Sequence, residues 1–472
     1  MRRRRTVQPS FADLELRLQG VELEPALEKI RRFLDQHGEL IDLVYRDLRR
    51  GLTRPGQGRC GMTAEQVLRA FILKSVKDWD LRELRERIAD GYTLRSFTAF
   101  HAARVPRHQA FHSAFTRLTP ATLRALNDVV VHVAVELGLE KGQWLRVDTT
   151  VVETDIHFPT DSSLLWDSVR VLTRLMISVC TDVPAVAVGF ANRSRRARRR
   201  MQEISRMTPS QRPRQLRRKY RDLLTVTAEV VRRARQAVEI ARQHPPAEPL
   251  AALRVGWSCE EIGRFAALAE RVMDQAERRV FDHEVVPAEE KVYSIFEPHT
   301  DLIKRGKAHK PVEFGHKVLL AESRIGLITD YRVLDGNPRD DGHVQGLLEH
   351  HRHRFGHAPT LFAGDRGFFS PQGVEHCQRL GVERECLPQR GGHKTPERAA
   401  HEKTRAFRTG QRFRAGIEGR ISVLFRGRGM KRCLLEGRAR FEVCVGAAVL
   451  ANNLLVLAEQ LRRRRQPLRR AA

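Results

Sequence analysis

The residues WLRVDTTVVET, Trp144–Thr154, interrupt a chain whose pattern is helical up to this point. They are rich in β-branched side chains and lack the three-to-four-residue spacing of apolar positions that a helix needs, so they predict a buried strand. Residues 22–138, which precede them, predict an all-helical segment. Within it, Thr63 followed by Gln66 has the spacing of a capping box, and Asp80 is placed to cap the next helix.

After this strand the pattern returns to helix over residues 164–279 and then alternates between strands and helices. The alternation predicts a multidomain α/β protein with an all-helical N-terminal domain and a helical insertion. The predicted domains are residues 1–138, a core made of 139–165 and 290–460, an Arg-rich insertion of 166–289 and a basic tail of 461–472. Strands are expected at 292–296, 313–321, 327–334, 360–365 and 382–387, and helices at 343–353, 370–380, 413–425 and 440–459.

Charge is concentrated in three stretches of the 472-residue chain, whose formal net charge is +28. Residues 193–221 carry thirteen basic side chains against the single acid Glu203, residues 2–5 are all arginine, and the segment from Arg462 adds six arginines. Such clusters bind polyanions through phosphate contacts, so nucleic acid is the first partner to consider and an anionic membrane surface the second. The alternative for each cluster is a solvated helix face. The candidate DNA-binding residues in the first stretch are Arg195, Arg196, Arg198, Arg199 and Arg200.

Composition argues against a membrane protein and against a disulfide framework. The mean hydropathy is −0.44, and residues 441–458, the longest apolar stretch, contain Glu442 and two asparagines, which predicts a buried helix. The arginines at the start are not followed by the apolar region of a signal peptide, so the expected location is the cytoplasm. Seven cysteines occur without a CxxC pair, which favours free thiols.

Three carboxylates stand in places that need an explanation. Asp148 lies inside an apolar strand, where its burial requires a cation or a metal as partner. Asp365 lies where an apolar strand gives way to the loop GDRGFFS, and strand ends of α/β sheets are common ligand sites. Glu418 stands at the edge of the apolar stripe of a late helix. Together they favour a cluster that holds hard divalent cations.

Simpler explanations remain for each carboxylate taken alone. Asp148 can pair with Arg146 or another arginine, Asp365 can be a turn residue beside Arg366, and Glu418 can pair with Arg414 one helical turn earlier. The histidines at 350, 351, 353 and 357 could ligate a transition metal, but their basic neighbours favour a solvated basic face.

The order of these acids and the sequences around them resemble those of the DDE transposases of bacterial insertion sequences. The similar blocks are RVDTTVVETDIHFPTDSSLL, KRGKAHKPVEFGHKVLLAE, FAGDRGFFS and RAGIEGRISVLFRGRGMKRCLLEGRARFEVCVGAAVLANNL, and GMTAEQVLRAFILKSVKDWDLRELRERIADGYTLRSFTAF resembles the helical N-terminal domain that precedes the core. The ISNCY-like group is the most similar one we can name.

This resemblance implies an RNase H-like catalytic core, a mixed sheet flanked by helices, behind an N-terminal DNA-binding domain. It implies Asp148, Asp365 and Glu418 as catalytic residues that bind Mg2+, with Mn2+ as a substitute. The expected partners are double-stranded DNA, as transposon ends and as target, and further copies of the chain in a homodimer or higher oligomer on DNA, with no membrane. The expected location becomes cytoplasmic and nucleoid-associated.

The chain departs from this family in two respects. Many relatives carry a lysine a turn or two after the catalytic glutamate, where this chain has Phe425, so Arg426 or Arg428 is the expected substitute for a phosphate contact. The long helical insertion follows the first strand, whereas relatives with a large insertion carry it just before the glutamate helix. Two alternatives stay open, which are a catalytically inactive or regulatory DNA-binding derivative and a metal-dependent nuclease that cuts without joining.

Overall fold

The computed structural model describes residues 2–5, 22–57, 60–207, 213–304 and 312–465. The chain divides into two compact units, of which the first combines Met1–Glu153 with His316–Ala472 and the second is Thr154–Gly315. The first unit therefore needs both ends of the chain. Residues 466–472 of the predicted basic tail lie outside the described part.

The N-terminal part of the first unit is helical, as predicted. The capping box of Thr63 and Gln66 is present, with both of its hydrogen bonds, and Asp80 accepts hydrogen bonds from two backbone N–H groups of the following helix. Thr119 caps the last helix, which has Pro120 at its first position. The helices are α1 Pro25–Gln36, α2 Glu39–Arg49, α3 Ala64–Lys77, α4 Leu81–Asp90, α5 Tyr92–Phe97, α6 His108–Phe115 and α7 Pro120–Glu136.

Seven strands of the described residues form one mixed sheet. The strands are β1 Trp144–Thr154, β2 Asp301–Lys304, β3 Val312–Ser323, β4 Ile328–Val333, β5 Leu361–Ala363, β6 Arg384–Cys386 and β7 Arg432–Cys433. Their order in the sheet is β2-β3-β1-β5-β6, with β4 beside β3 and β7 beside β1. Strand β1 runs parallel to β5 and β5 to β6, whereas β3 is antiparallel to β2 and β4. This confirms the mixed α/β class.

One predicted strand is wrong. Residues 292–296 form no strand, because Val292 and Ile295 pack into the helical core of the second unit and the N–H of Val292 donates to the side chain of Gln275 at 2.8 Å. The strand comes later, at Asp301–Lys304. An alternation of apolar residues can thus serve packing against helices as well as pairing in a sheet.

The second unit is built from four long helices among its described residues. They are α8 Asp161–Asp182, α9 Ser194–Ser205, α10 Pro213–Gln243 and α11 Pro249–Val280. Their apolar faces form one core of leucine, valine and alanine side chains. Helix α9 carries the arginine run that the charge pattern singles out.

The remaining helices of the first unit cover the sheet and close the core. They are α12 Val344–Phe355, α13 Pro371–Leu380, α14 Pro396–Lys403, α15 Arg405–Gly427 and α16 Arg438–Arg465. Helix α16 is long and apolar enough to cross a membrane, yet 72% of its most apolar window is buried inside the protein. It packs on α1, α3, α7 and β4, which confirms the prediction of a buried helix.

Candidate active site

Asp148 and Asp365 are brought together by the register of two neighbouring parallel strands. The register pairs Arg146 of β1 with Ala363 of β5, and each aspartate follows two residues later. Asp148 lies within the longer strand β1, whereas Asp365 lies in the turn just past the carboxyl end of β5, which is where ligands bind in many α/β sheets. Asp148 accepts a hydrogen bond from the N–H of Thr149 and Asp365 one from the N–H of Gly367, both at 2.8 Å.

The electrostatics of Asp148 reflect its burial and its neighbours. Its side chain is 12% exposed, and this burial raises its pKa to about 6. The guanidinium of Arg414 beside it lowers the pKa, while the charges of Asp365 and Asp340 raise it further. The three aspartates therefore act on one another through space.

Asp340 is an acid that the sequence did not single out. It lies in the single turn Asp340–His343, and its carboxylate forms an ion pair of 2.8 Å with Lys317, a buried lysine of β3 that also donates to the carbonyl of Pro338 at 2.7 Å. A Cβ atom added to Gly367 would lie 2.8 Å from Asp340 Oδ2 and 3.0 Å from Asp365 Oδ1. A larger residue at this point would force at least one of the two carboxylates to shift.

Glu418 reaches Asp148 through an arginine. It lies on α15 with its side chain 68% exposed. Arg414, one turn earlier, donates to Glu418 at 3.1 Å and to Asp148 at 3.2 Å. Both of the simpler pairings weighed for Glu418 and Asp148 are thus made by one guanidinium. Arg146, the partner first considered for Asp148, bonds elsewhere.

A buried ionic network fixes the helix that carries Glu418. Glu322 of β3 is fully buried and accepts from Arg146 at 2.7 Å and from Arg420 at 2.8 Å. Arg146 also donates to the carbonyl of Phe413, and Arg420 to the side chain of Asn452 on α16. One carboxylate therefore ties α15 to the sheet on both sides of Glu418. Burying an ionic network costs desolvation energy, and its best-attested use is to fix one arrangement of elements.

The donor atoms suit a hard cation, although the arrangement present is not a complete metal cluster. Asp148 and Asp365 offer carboxylate oxygens, the ligands that Mg2+ prefers. Among the described residues, no group of three or more histidine, cysteine, aspartate or glutamate side chains is arranged to hold a metal ion. The third predicted ligand, Glu418, meets the aspartates only through the Arg414 guanidinium.

The predicted DNA-binding arginines of α9 fall into two groups. Arg196 and Arg200 both pair with Asp222 of α10, so their charge is partly used inside the second unit. Arg195, Arg198 and Arg199 are exposed and make no ion pair with the described residues. Arginine in the first turn of a helix opposes the helix dipole, so this exposed face favours an external anion.

Arg426 and Arg428 also differ. Arg426 is exposed at the end of α15, without a partner in the described part of the chain. Arg428 donates to the carbonyl of Val76 at 2.9 Å, and burial lowers its pKa. Arg428 therefore connects α15 to the N-terminal helices, and Arg426 is the one free for a phosphate.

No family model, no curated protein and no solved structure matches this chain.

Proposed function

We propose that the chain is a DNA transposase of an insertion sequence, with an RNase H-like core and its active site at Asp148, Asp365 and Glu418. The observation that supports this proposal best is the register of β1 and β5, which brings Asp148, within β1, level with Asp365, two residues past the end of β5. The bridge from Asp148 through Arg414 to Glu418 adds the third acid in the order that the resemblance implies.

Asp148, Asp365 and Glu418 would hold Mg2+, or Mn2+ in its place. When bound, such ions supply Lewis-acid stabilisation of a phosphodiester and an activated water. The residues themselves prepare this site. The network of Glu322 holds the helix of Glu418 against the sheet. Lys317 balances the charge of Asp340 beside the catalytic pair.

The reaction that we propose is hydrolysis at the transposon end, followed by attack of the released 3′-hydroxyl on target DNA. Asp148 with a pKa of about 6 is ionised at neutral pH and offers its carboxylate to a cation. Arg414 compensates part of the negative charge when no cation is present. A phosphodiester that approaches the site also needs a positive partner, and Arg414 is placed to serve it.

DNA binding is the second part of the proposal. The exposed arginines of α9, together with Arg426, are candidates for contacts to the DNA backbone, which supply affinity but no sequence preference. Pairing two transposon ends requires two active sites, so we propose a homodimer or larger assembly on DNA. The proposed location is the cytoplasm, at the nucleoid.

The decisive experiment uses a labelled DNA fragment with the sequence that flanks this gene. Wild-type protein should cut it at one defined position with Mg2+ or Mn2+ and produce joined products. Asp365→Asn, Asp148→Asn and Glu418→Gln should each abolish cleavage and leave DNA binding largely intact, because they remove carboxylates and not phosphate contacts. Near wild-type cleavage by one variant would remove that residue from the site.

The alternatives give different products. Tight binding without cleavage, under conditions where an active relative cuts its own ends, would support the inactive or regulatory derivative. Cleavage without joined products would support a metal-dependent nuclease.

The arginines of α9 allow an internal control. Arg198→Gln should reduce the slope of log affinity against log salt by about 0.9, the value of one lost phosphate contact. Arg196→Gln removes the same formal charge from the same helix, but this arginine already pairs with Asp222. If both variants keep the wild-type slope of log affinity against log salt, the exposed face of α9 does not touch DNA.

A further inference from the structure

A cleft opens beside Asp365 that the proposed chemistry does not explain. Its volume is about 510 Å³, and it lies between the loop after β5 and the first half of α15. Its charged lining residues are Asp365, Arg366, Glu402, Arg408 and Arg414.

The cleft is positive in character. Of its two acids, Glu402 is already compensated, because it pairs with Lys394 and Arg398 and accepts a backbone N–H from Gln389. Three arginines face these two acids, and one of them, Arg414, pairs with carboxylates of the active site. Arg366 and Arg408 are left to give the cleft its charge.

Arg366 and Arg408 have donors to spare. Both are exposed, and Arg366 makes no hydrogen bond or ion pair with the described residues. Arg408 donates once, to the carbonyl of Lys403 at 2.7 Å. A guanidinium has five N–H donors in a planar fork, a geometry that matches phosphate oxygens. Arg366 directly follows Asp365, so a phosphate that it binds lies next to the catalytic carboxylates.

The positive surface continues along α15 away from the site. Arg405, Arg408 and Arg412 recur at three- and four-residue spacing on the exposed side of the helix. Seven residues of helix span about 10 Å, which is the rise of about three nucleotides of one DNA strand. The first turn of α15 contains no acid, and Arg405 and Arg408, which lie at the N-terminal end of this helix, are unfavourable there without an anion.

We propose that this cleft binds the phosphodiester backbone of the DNA strand beside the scissile bond, with Arg366 and Arg408 on two adjacent phosphates and with Arg405 and Arg412, which lie on either side of Arg408 along α15, on the phosphates next to them. The binding site rests on the proposed function for the identity of its ligand as DNA. It adds a track, on the first unit, that leads the strand to Asp365.

The test compares Arg366→Gln, Arg408→Gln and their combination with Arg384→Gln. Arg384 is also exposed and begins β6, so it lies at the opposite end of the parallel strands from Asp365. Binding of a labelled duplex that carries the flanking sequence of the gene is measured in metal-free buffer over a range of salt concentrations. Circular dichroism and melting temperature establish that each variant is folded, as expected for exposed side chains.

The double variant should lose two phosphate contacts. Wild type loses affinity for DNA when the salt concentration rises from about 50 to 200 mM, and in the double variant this loss should be about tenfold smaller. Arg384→Gln should behave as wild type. Ethylation of single phosphates should then identify the contacts. Ethylation near the cleavage position should weaken binding of wild type and no longer weaken binding of the double variant.

The outcomes of this test distinguish the proposed DNA site in the cleft from the proposed transposase activity. A salt dependence of the double variant equal to that of wild type would overturn the cleft as a DNA site, even if the protein cuts and joins DNA. Loss of the contacts in a protein that never cuts would support the cleft and contradict the transposase. Wild-type protein that binds no DNA at all would overturn both.

Discussion

Replacing Asp148 of the proposed active site with asparagine should stabilise the protein at alkaline pH. Asp148 has a pKa of about 6 because it is buried, whereas an exposed aspartate has a pKa of about 3.9. Between these two values the folded state binds more protons than the unfolded state, so the stability that depends on this group falls as the pH rises. The destabilisation caused by ionising the buried Asp148 is fully present above pH 6 and absent below about pH 4.

The magnitude follows from the shift. A difference of about two pKa units corresponds to about 3 kcal/mol. Asparagine has a similar shape, carries no charge at any of these pH values and keeps an oxygen for the N–H of Thr149. The free energy of unfolding of Asp148→Asn should therefore exceed that of wild type by up to about 3 kcal/mol at pH 8 and equal it at pH 4.

The assay is urea denaturation in buffer with a chelator, followed by tryptophan fluorescence. Trp144 begins the same strand and packs edge-on against Phe413 of α15, so its emission reports on this part of the first unit. Asp90→Asn, at an exposed position of α4, is the control and should change nothing. A loss of stability at pH 8 would show that the pair with Arg414 outweighs burial, and the same gain at both pH values would show that the gain does not come from the charge of Asp148. Either result would refute the reasoning.

Two further predictions concern the surroundings of the site. Glu322→Gln should lower the free energy of unfolding by about 3 kcal/mol, because two partly buried arginines lose their shared carboxylate. It should also raise the Mg2+ concentration for half-maximal cleavage. Glu385→Gln, which breaks the pair with Arg398, should cost stability alone, and an equal Mg2+ shift in both variants would contradict a positioning role of Glu322. Gly367→Ala should reduce cleavage at least about tenfold with little change in melting temperature, because its Cβ would press on Asp340 and Asp365; Gly342→Ala, whose Cβ meets open space, is the control and should retain cleavage.

Local signals predicted the elements of this fold well where a few neighbouring residues determine the structure. The caps at Thr63 and Asp80 depend on side chains within three residues of the helix start, and both are present. Strand β1 and the strand before Asp365 were equally recognisable from their apolar, β-branched runs. The strand predicted at 292–296 failed because helices of its own unit use the same apolar residues.

The surroundings of the site depend on contacts between distant residues, which one sequence does not reveal. Lys317 and Asp340 meet through space, and Glu322 meets Arg146 and Arg420 from different elements. His351 shows the same limit. A solvated basic face was predicted for its cluster, yet this side chain is buried, its Nε2–H donates to the carbonyl of Gly142 at 2.8 Å, and burial lowers its pKa to about 4.

The order in which the chain builds its first unit affects how the protein is made. The chain leaves this unit at Glu153 and returns at His316, so a ribosome working at 5 to 20 residues per second needs roughly 10 to 30 seconds before the partners of β1 begin to appear. Helix α16, which packs on α1, α3 and α7, comes last. A stop codon before Arg438 would leave these N-terminal helices with an uncovered apolar surface. A truncated product should then be cleared by proteolysis rather than persist as a competitor of the full-length protein.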